Sequence, residues 1–211
     1  MNAVNDARFW DRTSSRYARS TISDQAGYER TLDRTRELLK SQDRVLELGC
    51  GTGSTALRLA DSVQSYLATD ISTGMIGIAE QKQAAEAIPG LSFRVATAEA
   101  LAPEAGFDAV LGFSYLHLVR DLSGTLRRIH ALLAKDGLFI SKTPCIGEMN
   151  PLIGYAALPV MRALRLAPYA AVFNAAELNE RVSAAGFQIL ATERHATKGK
   201  DTRPYIVARK A

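Results

Sequence analysis

Cysteine is scarce in this sequence: Cys50 and Cys145 are the only two, and they lie far apart. That excludes a disulfide-built scaffold, and no close spacing of Cys and His suggests a zinc site, so no metal is expected. Long hydrophobic runs are missing too. No window offers about eighteen uninterrupted apolar residues, so no membrane-spanning helix is expected. Met1 to Trp10 carries Asp6 and Arg8 without an apolar core and does not read as a secretory signal. Charge of one sign is also in short supply. The 26 basic and 22 acidic residues leave a net charge of +4. Only short basic clusters occur, Arg127-Arg128 and Lys198 to Arg203, which read as solvated surface rather than a nucleic-acid footprint. Free thiols in a reducing cytoplasm are the default expectation.

What is present suits one domain with a real core: 211 residues, 47% hydrophobic and 23% charged. Two helices open the chain. Asp6 to Ser20 carries Phe9, Trp10 and Tyr17 at loosely helical spacing. Ser23-Asp24 caps a second helix with Tyr28, Leu32, Thr35 and Leu39 near one face. Short apolar runs then alternate with helix-like stretches. The runs are Val45–Leu48, Tyr66–Thr69, Leu91–Val95, Phe107–Phe113 and Leu138–Ser141. The helices are Ser54–Asp61, Thr73–Ala87 and Leu122–Lys135, the last ended by Gly137. This alternation predicts βαβ units and a parallel sheet covered on both faces. A helix over Ala175–Ala185, with capping-box spacing at Asn174 and Glu177 and Gly186 behind it, precedes the final strands Phe187–Glu193 and Tyr205–Arg209. Residues 151–173 break the alternation. They are apolar, charged only at Arg162 and Arg165, and the prolines at 151, 159 and 168 confine any helix to short pieces.

The chemistry centres on Glu47-Leu-Gly-Cys-Gly-Thr-Gly53, between the first strand and the helix after it. Glycines at alternate positions allow positive φ and let a ligand approach the backbone. In open α/β sheets ligands sit beyond the carboxyl ends of the strands, where strand order reverses. Gly51-Thr-Gly53-Ser-Thr-Ala56 also satisfies the dinucleotide fingerprint G-x-G-x-x-[GA], so the glycines alone fit an NAD-dependent oxidoreductase equally. Asp70, ending the second strand, would accept hydrogen bonds from ribose hydroxyls of either cofactor.

The flanks of the loop separate the two readings. Val45 to Gly53, with Glu47 and Gly49, resembles the first motif of class I S-adenosylmethionine-dependent methyltransferases. Asp70-Ile-Ser-Thr-Gly-Met75, Ala96-Thr-Ala-Glu-Ala-Leu101, Phe107-Asp-Ala-Val110 with Tyr115-Leu-His117, Lys135 to Ile140 and Ala184-Ala-Gly-Phe187 resemble its later motifs, in family order over about residues 40 to 211. The resemblance, within the broad group similar to quinone-biosynthesis methyltransferases, implies an α/β fold: a Rossmann-like, doubly wound, seven-stranded sheet, mostly parallel with its last strand antiparallel. It implies one domain, with residues 1–40 as an N-terminal helical lid and 146–173 as an apolar cap over the pocket. It also implies roles by position. Gly49, Gly51 and Gly53 would border the methionine and ribose of S-adenosylmethionine. Asp70 would bind both ribose hydroxyls, and Ile71 and Met75 would pack on the adenine. The Ala98 backbone would meet the adenine edge. Thr97 stands where the family often has Asp, so Thr97 or Glu99 would receive the adenine amino group. Tyr17, from the lid, and Ser114, after the fourth strand, complete the expected cofactor contacts.

Transfer of a methyl group from a sulfonium demands alignment and exclusion of water more than a catalytic constellation. His117 is the candidate general base or acceptor-orienting group, because its pKa suits proton transfer near neutrality. A backbone-bonding turn residue is the plainer alternative. His130 and His195 read as structural, Cys145 as a small buried hydrophobe, and Cys50 as filling a slot in the glycine turn. The turn Gly112 to His117 lacks the Asn/Asp-Pro-Pro-Tyr pattern of enzymes that methylate amino groups of nucleobases or glutamine. With the apolar 151–173 segment, this favours a small-molecule, hydrophobic or lipid-like acceptor over nucleic acid or protein. A peripheral membrane contact, a monomer or a homodimer are all compatible. The readings left open are an NAD(P)-dependent oxidoreductase and a module that binds S-adenosylmethionine without catalysis.

Overall fold

The computed structural model describes residues 3–102, 106–152, 156–164 and 166–211. Residues 153–155 and Arg165 of the apolar segment therefore lie outside the described residues. In chain order the elements are α1 (Ala3–Ala18), α2 (Gln25–Leu38), β1 (Arg44–Leu48), α3 (Ala56–Leu59), β2 (Ser65–Asp70), α4 (Thr73–Ala85) and β3 (Leu91–Val95). There follow β4 (Phe107–Phe113), α5 (Leu122–Leu132), β5 (Leu133–Lys142), α6 (Leu158–Ala163), α7 (Ala175–Ala184), β6 (Phe187–Glu193) and β7 (Tyr205–Lys210).

The seven strands form one sheet in the order β3-β2-β1-β4-β5-β7-β6. β1 to β5 pair in parallel, and β7 enters antiparallel between β5 and β6. The direction of winding reverses between β1 and β4, which opens a crevice at their carboxyl ends. Because side chains alternate along a strand, β1 feeds two cores. Leu46 and Leu48 face α5 and α7 through Leu126, Ile129, Leu178 and Val182. Val45 joins Tyr66, Leu111 and Val207 under Leu32 of α2 and Leu59 of α3. Both faces of the sheet are covered, as a mostly parallel sheet requires.

The helix starts carry their expected caps. The Asp24 carboxylate accepts the Gly27 N–H, and Asn174 and Glu177 form a reciprocal capping box. Most boundaries shift by a residue or a few, and two differ in kind from expectation. The helix after the glycine turn is a single turn, Ala56–Leu59, extended only by a 3₁₀ turn to Ser62. Helix α5 stops at Leu132, and Gly137 does not end it. Leu133 is buried and pairs with Phe107 at once, so strand pairing takes over from helical spacing. A bulge then shifts the register to Ala109 opposite Leu138, with Asp136 at φ 61° supplying the turn.

In residues 151–173 the helices are short, as the prolines demand: α6 has six residues, with Pro159 in its first turn. Leu152, Val160, Met161, Leu164 and Leu166 there are all exposed.

Candidate active site

The first two amides of the glycine turn share one acceptor. The N–H groups of Gly49 and Cys50 both donate to the Thr69 carbonyl at the end of β2, at 2.8 and 2.9 Å. Gly49 and Gly51 adopt φ of +72° and +54°, which an L side chain resists. A Cβ at Gly49 would strike the Tyr115 ring at 2.8 Å, whereas one at Gly51 would reach only the Tyr17 ring, at 3.7 Å. Gly53 has a different task. Its missing Cβ would fall 2.8 Å from both Ala79 and Phe93, so it lets the turn pack against α4 and β3. Gly53 is not itself among the residues lining the cavity, although Thr52 and Ser54 on either side of it are.

The crevice is a cavity of about 910 Å³. It is lined by eleven of the twelve expected positions: Tyr17, Gly49, Gly51, Asp70, Ile71, Met75, Thr97, Ala98, Glu99, Ser114 and His117. At its β2 end, Asp70 accepts the Gly51 N–H at 3.0 Å through Oδ2 and the Ser72 N–H at 2.9 Å through Oδ1. Burial raises the Asp70 pKa, and the amides of Ser72, Gly51 and Ile71 oppose that rise. A carboxylate offers about four lone-pair sites. Two amides leave capacity for a pair of hydroxyls presented from the cavity. Next to it, Thr97 begins a short turn in which the Ala98 carbonyl accepts from Arg128 and the Glu99 carboxylate from Thr125.

The β4 side supplies Ser114, at φ 52°, and His117. Burial, then the positive charge of Arg203, pushes the His117 pKa down to about 4. Its Nδ1 is buried with no hydrogen-bond partner among the described residues, the kind of orphan that a bound group or water satisfies. Cys50 and Cys145 are both buried. Burial raises both thiols, Cys145 to about 12, so neither is a nucleophile near neutrality.

The N-terminal helix contributes Trp10 and Tyr17 to the cavity lining. Asp11 fastens it to the start of α4, accepting from Ser72 Oγ at 2.6 Å, Thr73 Oγ1 at 3.2 Å and the Gly74 N–H at 3.0 Å. Burial works against ionising Asp11, but these bonds outweigh it and hold the carboxyl below its usual range. Asp6 makes a bidentate pair with Arg120, whose guanidinium lies 4.5 Å from the Tyr169 ring centroid. The apolar 146–173 segment is tied to the His117 turn, since the Ala171 N–H donates to the His117 carbonyl at 2.7 Å. Yet its described residues contribute nothing to the cavity lining. Its apolar side chains divide: Ile146, Ala170 and Phe173 are buried, whereas Leu152, Val160, Met161, Leu164 and Leu166 are exposed.

Several lining residues have no site role in the sequence reading. Glu47 is buried in β1, accepts the Tyr66 hydroxyl at 2.9 Å, and is raised to about 7 by burial. Lys142 and Arg203 line the far end. Lys142 had a legible signal, since it ends a strand at its carboxyl edge.

Comparison with known proteins agrees with this geometry. A family model described as a methyltransferase domain matches residues 18–192. An uncharacterized methyltransferase of Mycobacterium bovis is 37% identical over 93 residues, 44% of this chain and 46% of that protein. The matched stretch thus spans less than half of that relative. A ubiquinone biosynthesis O-methyltransferase of Sinorhizobium fredii is 29% identical over 187 residues, covering 79% of this chain and 73% of its own. The structure of a Synechocystis magnesium protoporphyrin IX methyltransferase with bound S-adenosylhomocysteine superposes with a TM-score of 0.71 at 19% identity, covering 97% of this chain and 93% of that one. The family match, with the seven-stranded sheet and its glycine turn, leads to one conclusion: the chain belongs to the methyltransferase domain family, as a class I S-adenosylmethionine-dependent methyltransferase.

Proposed function

We propose that the protein methylates a small-molecule acceptor with a largely apolar body, a lipid-like molecule being one such kind. The observation that carries the cofactor half is Asp70, ending β2 with both oxygens steered by backbone amides and capacity left toward the cavity. Beside it, Gly49 and Gly51 offer backbone without Cβ, and Ile71 and Met75 supply an apolar wall for a purine. These residues fit S-adenosylmethionine, which supplies, when bound, an electrophilic methyl group on a sulfonium. Trp10, Ile22, Tyr28, Phe113 and Val119 among the lining residues support the apolar acceptor. We read residues 1–40 as a lid within a single domain, fastened by Asp11, that excludes water from the reacting atoms.

In this reading His117 orients the acceptor or takes its proton. A group with a pKa near 4 is neutral at neutral pH and presents a nitrogen lone pair. The test is release of S-adenosylhomocysteine across a panel of hydroxylated aromatic and aliphatic acceptors. Turnover with an apolar acceptor supports the proposal. Binding of the cofactor without turnover of any acceptor would favour a non-catalytic binding module.

A further inference from the structure

Lys142 and Arg203 are not used by the cofactor reading. Lys142 is the last residue of β5, in register with Phe113 on β4 and Tyr205 on β7, and Arg203 lies two residues ahead of β7. Strands in a sheet are spaced about 4.8 Å, so β5 and β7 stand roughly 14 and 19 Å from β2 and its Asp70. With the ribose fixed at β2, this end of the cavity is left to the acceptor. Both cations line it. The positive charge of Arg203 also reaches across, since it lowers the pKa of His117 on the β4 side and opposes the rise at Tyr17 on α1.

Neither cation has a carboxylate partner among the described residues, although two carboxylates lie in reach of Lys142. Asp201 is occupied by the backbone N–H groups of His195, Ala196 and Arg203, at 2.8–2.9 Å. Asp24 accepts from the N–H groups of Gly27 and Thr197 and from the Thr197 hydroxyl. Both acids shape the loop and cap a helix. The Lys142 ammonium donates to one neutral oxygen, Thr31 Oγ1, at 2.8 Å. Thr31 in turn meets His195 Nδ1 at 3.0 Å, and His195 Nε2 meets Glu193 at 3.1 Å. This buried chain holds Lys142 in place without neutralising it, and leaves two of its three donors. Burial disfavours the charged ammonium, Asp201 favours it, and Arg203 opposes it. Two like charges at one end of a cavity, neither paired with a carboxylate among the described residues, repel each other, and an anion that joins them relieves that repulsion.

We infer that Lys142 and Arg203 bind an anionic group, a carboxylate or a phosphate, carried by the methyl acceptor. The inference rests on the proposed methyl transfer and specifies its acceptor: an apolar body with an acidic end. An anion at this place also offsets the Arg203 charge and so raises the His117 pKa, making that imidazole a better proton acceptor.

The test uses the full chain saturated with S-adenosylhomocysteine and two matched probe pairs, octanoate against octanamide and octyl phosphate against octanol. Calorimetry should show the anionic member binding about tenfold or more tightly. The pair with the larger difference identifies carboxylate or phosphate. Arg203→Gln, an exposed position, should remove most of that preference while leaving S-adenosylhomocysteine affinity in place. Lys142→Gln should act in the same direction. In NMR titration, the His117 ring should move to higher pKa when the anionic probe binds. Equal affinity for both members of each pair, including no binding by either, overturns the inference and leaves the cofactor reading standing. An Arg203→Gln variant that loses S-adenosylhomocysteine affinity but keeps the anion preference also overturns it, because the guanidinium then serves the cofactor's own carboxylate. Failure of the wild-type chain to bind S-adenosylhomocysteine defeats the cofactor reading itself.

Discussion

Asp70 combines two duties, since one carboxylate fixes the glycine turn through Gly51 and keeps lone pairs for a ligand. A charge-assisted hydrogen bond contributes about 1.5–3 kcal/mol. Asp70→Ala should therefore weaken S-adenosylhomocysteine binding roughly ten- to a hundredfold by calorimetry. Unchanged affinity in a folded variant would remove Asp70 from the site. His117 makes a prediction with a sign. Its pKa near 4 means the imidazole stays neutral through physiological pH. Any rate that depends on its lone pair should be flat from about pH 6 to 8 and fall as pH drops toward 4. His117→Ala should lower turnover with little change in cofactor affinity, and a variant of undiminished turnover would return His117 to a structural part. At this scale the legible residues were those whose position follows from the strand and turn. Asp70 follows from ending a strand after a glycine turn. Arg203 was hidden because a charged residue in a polar stretch looks like solvated surface until β7 brings it beside β5.

Elements act as units here through a few ties. α1 is attached to α4 by Asp11. Asp11→Ala should leave the sheet intact, cost about 1–2 kcal/mol of local stability, and show as faster proteolysis within residues 3–22 and weaker cofactor retention. Proteolysis at the wild-type rate would mean the helix is held by its apolar contacts alone. Gly53 tests the packing of α4 and β3 against the turn. Gly53→Ala forces a left-handed φ and a Cβ clash, and should cost roughly 1–3 kcal/mol in denaturant unfolding. Most elements were legible in the sequence, because apolar periodicity and caps such as Asn174 and Glu177 act locally. The exit from α5 was not. Leu126 to Leu133 keeps helical spacing, but Leu133 finds a strand partner in Phe107, which sequence spacing does not reveal. In the 146–173 segment apolar composition does not say which side chains are buried: Phe173 packs in the core, whereas Leu152, Leu164 and Leu166 are exposed.

Across the whole molecule, one sheet separates two cores, and β1 serves both. Glu47 is the cost of that arrangement, a carboxyl buried in β1 with the Tyr66 hydroxyl as its bond. Its folded pKa, about 7, lies above the unfolded value of 4.5, so folding favours the protonated form. The native state then holds more protons between those values, and the stability this group contributes is present below about pH 4.5 and lost as pH rises through 7. The loss is on the order of 3 kcal/mol. Glu47→Gln should flatten this part of the stability profile in urea unfolding at pH 5 and pH 8, and a slope identical to wild type would show that the burial is relieved by solvent. A parallel sheet covered on both faces was legible as alternation of strands and helices, while the seven strands with the last one antiparallel came from the family resemblance. The glycines and Asp70 alone fitted two cofactors, and the flanking motifs with the methyltransferase-domain match choose between them. The direct test is thermal unfolding of the chain with saturating S-adenosylhomocysteine and, separately, with NAD. The account predicts a raised midpoint with S-adenosylhomocysteine, smaller in Asp70→Ala at the same ligand concentration, and none with NAD. Stabilisation by NAD and not by S-adenosylhomocysteine would contradict it.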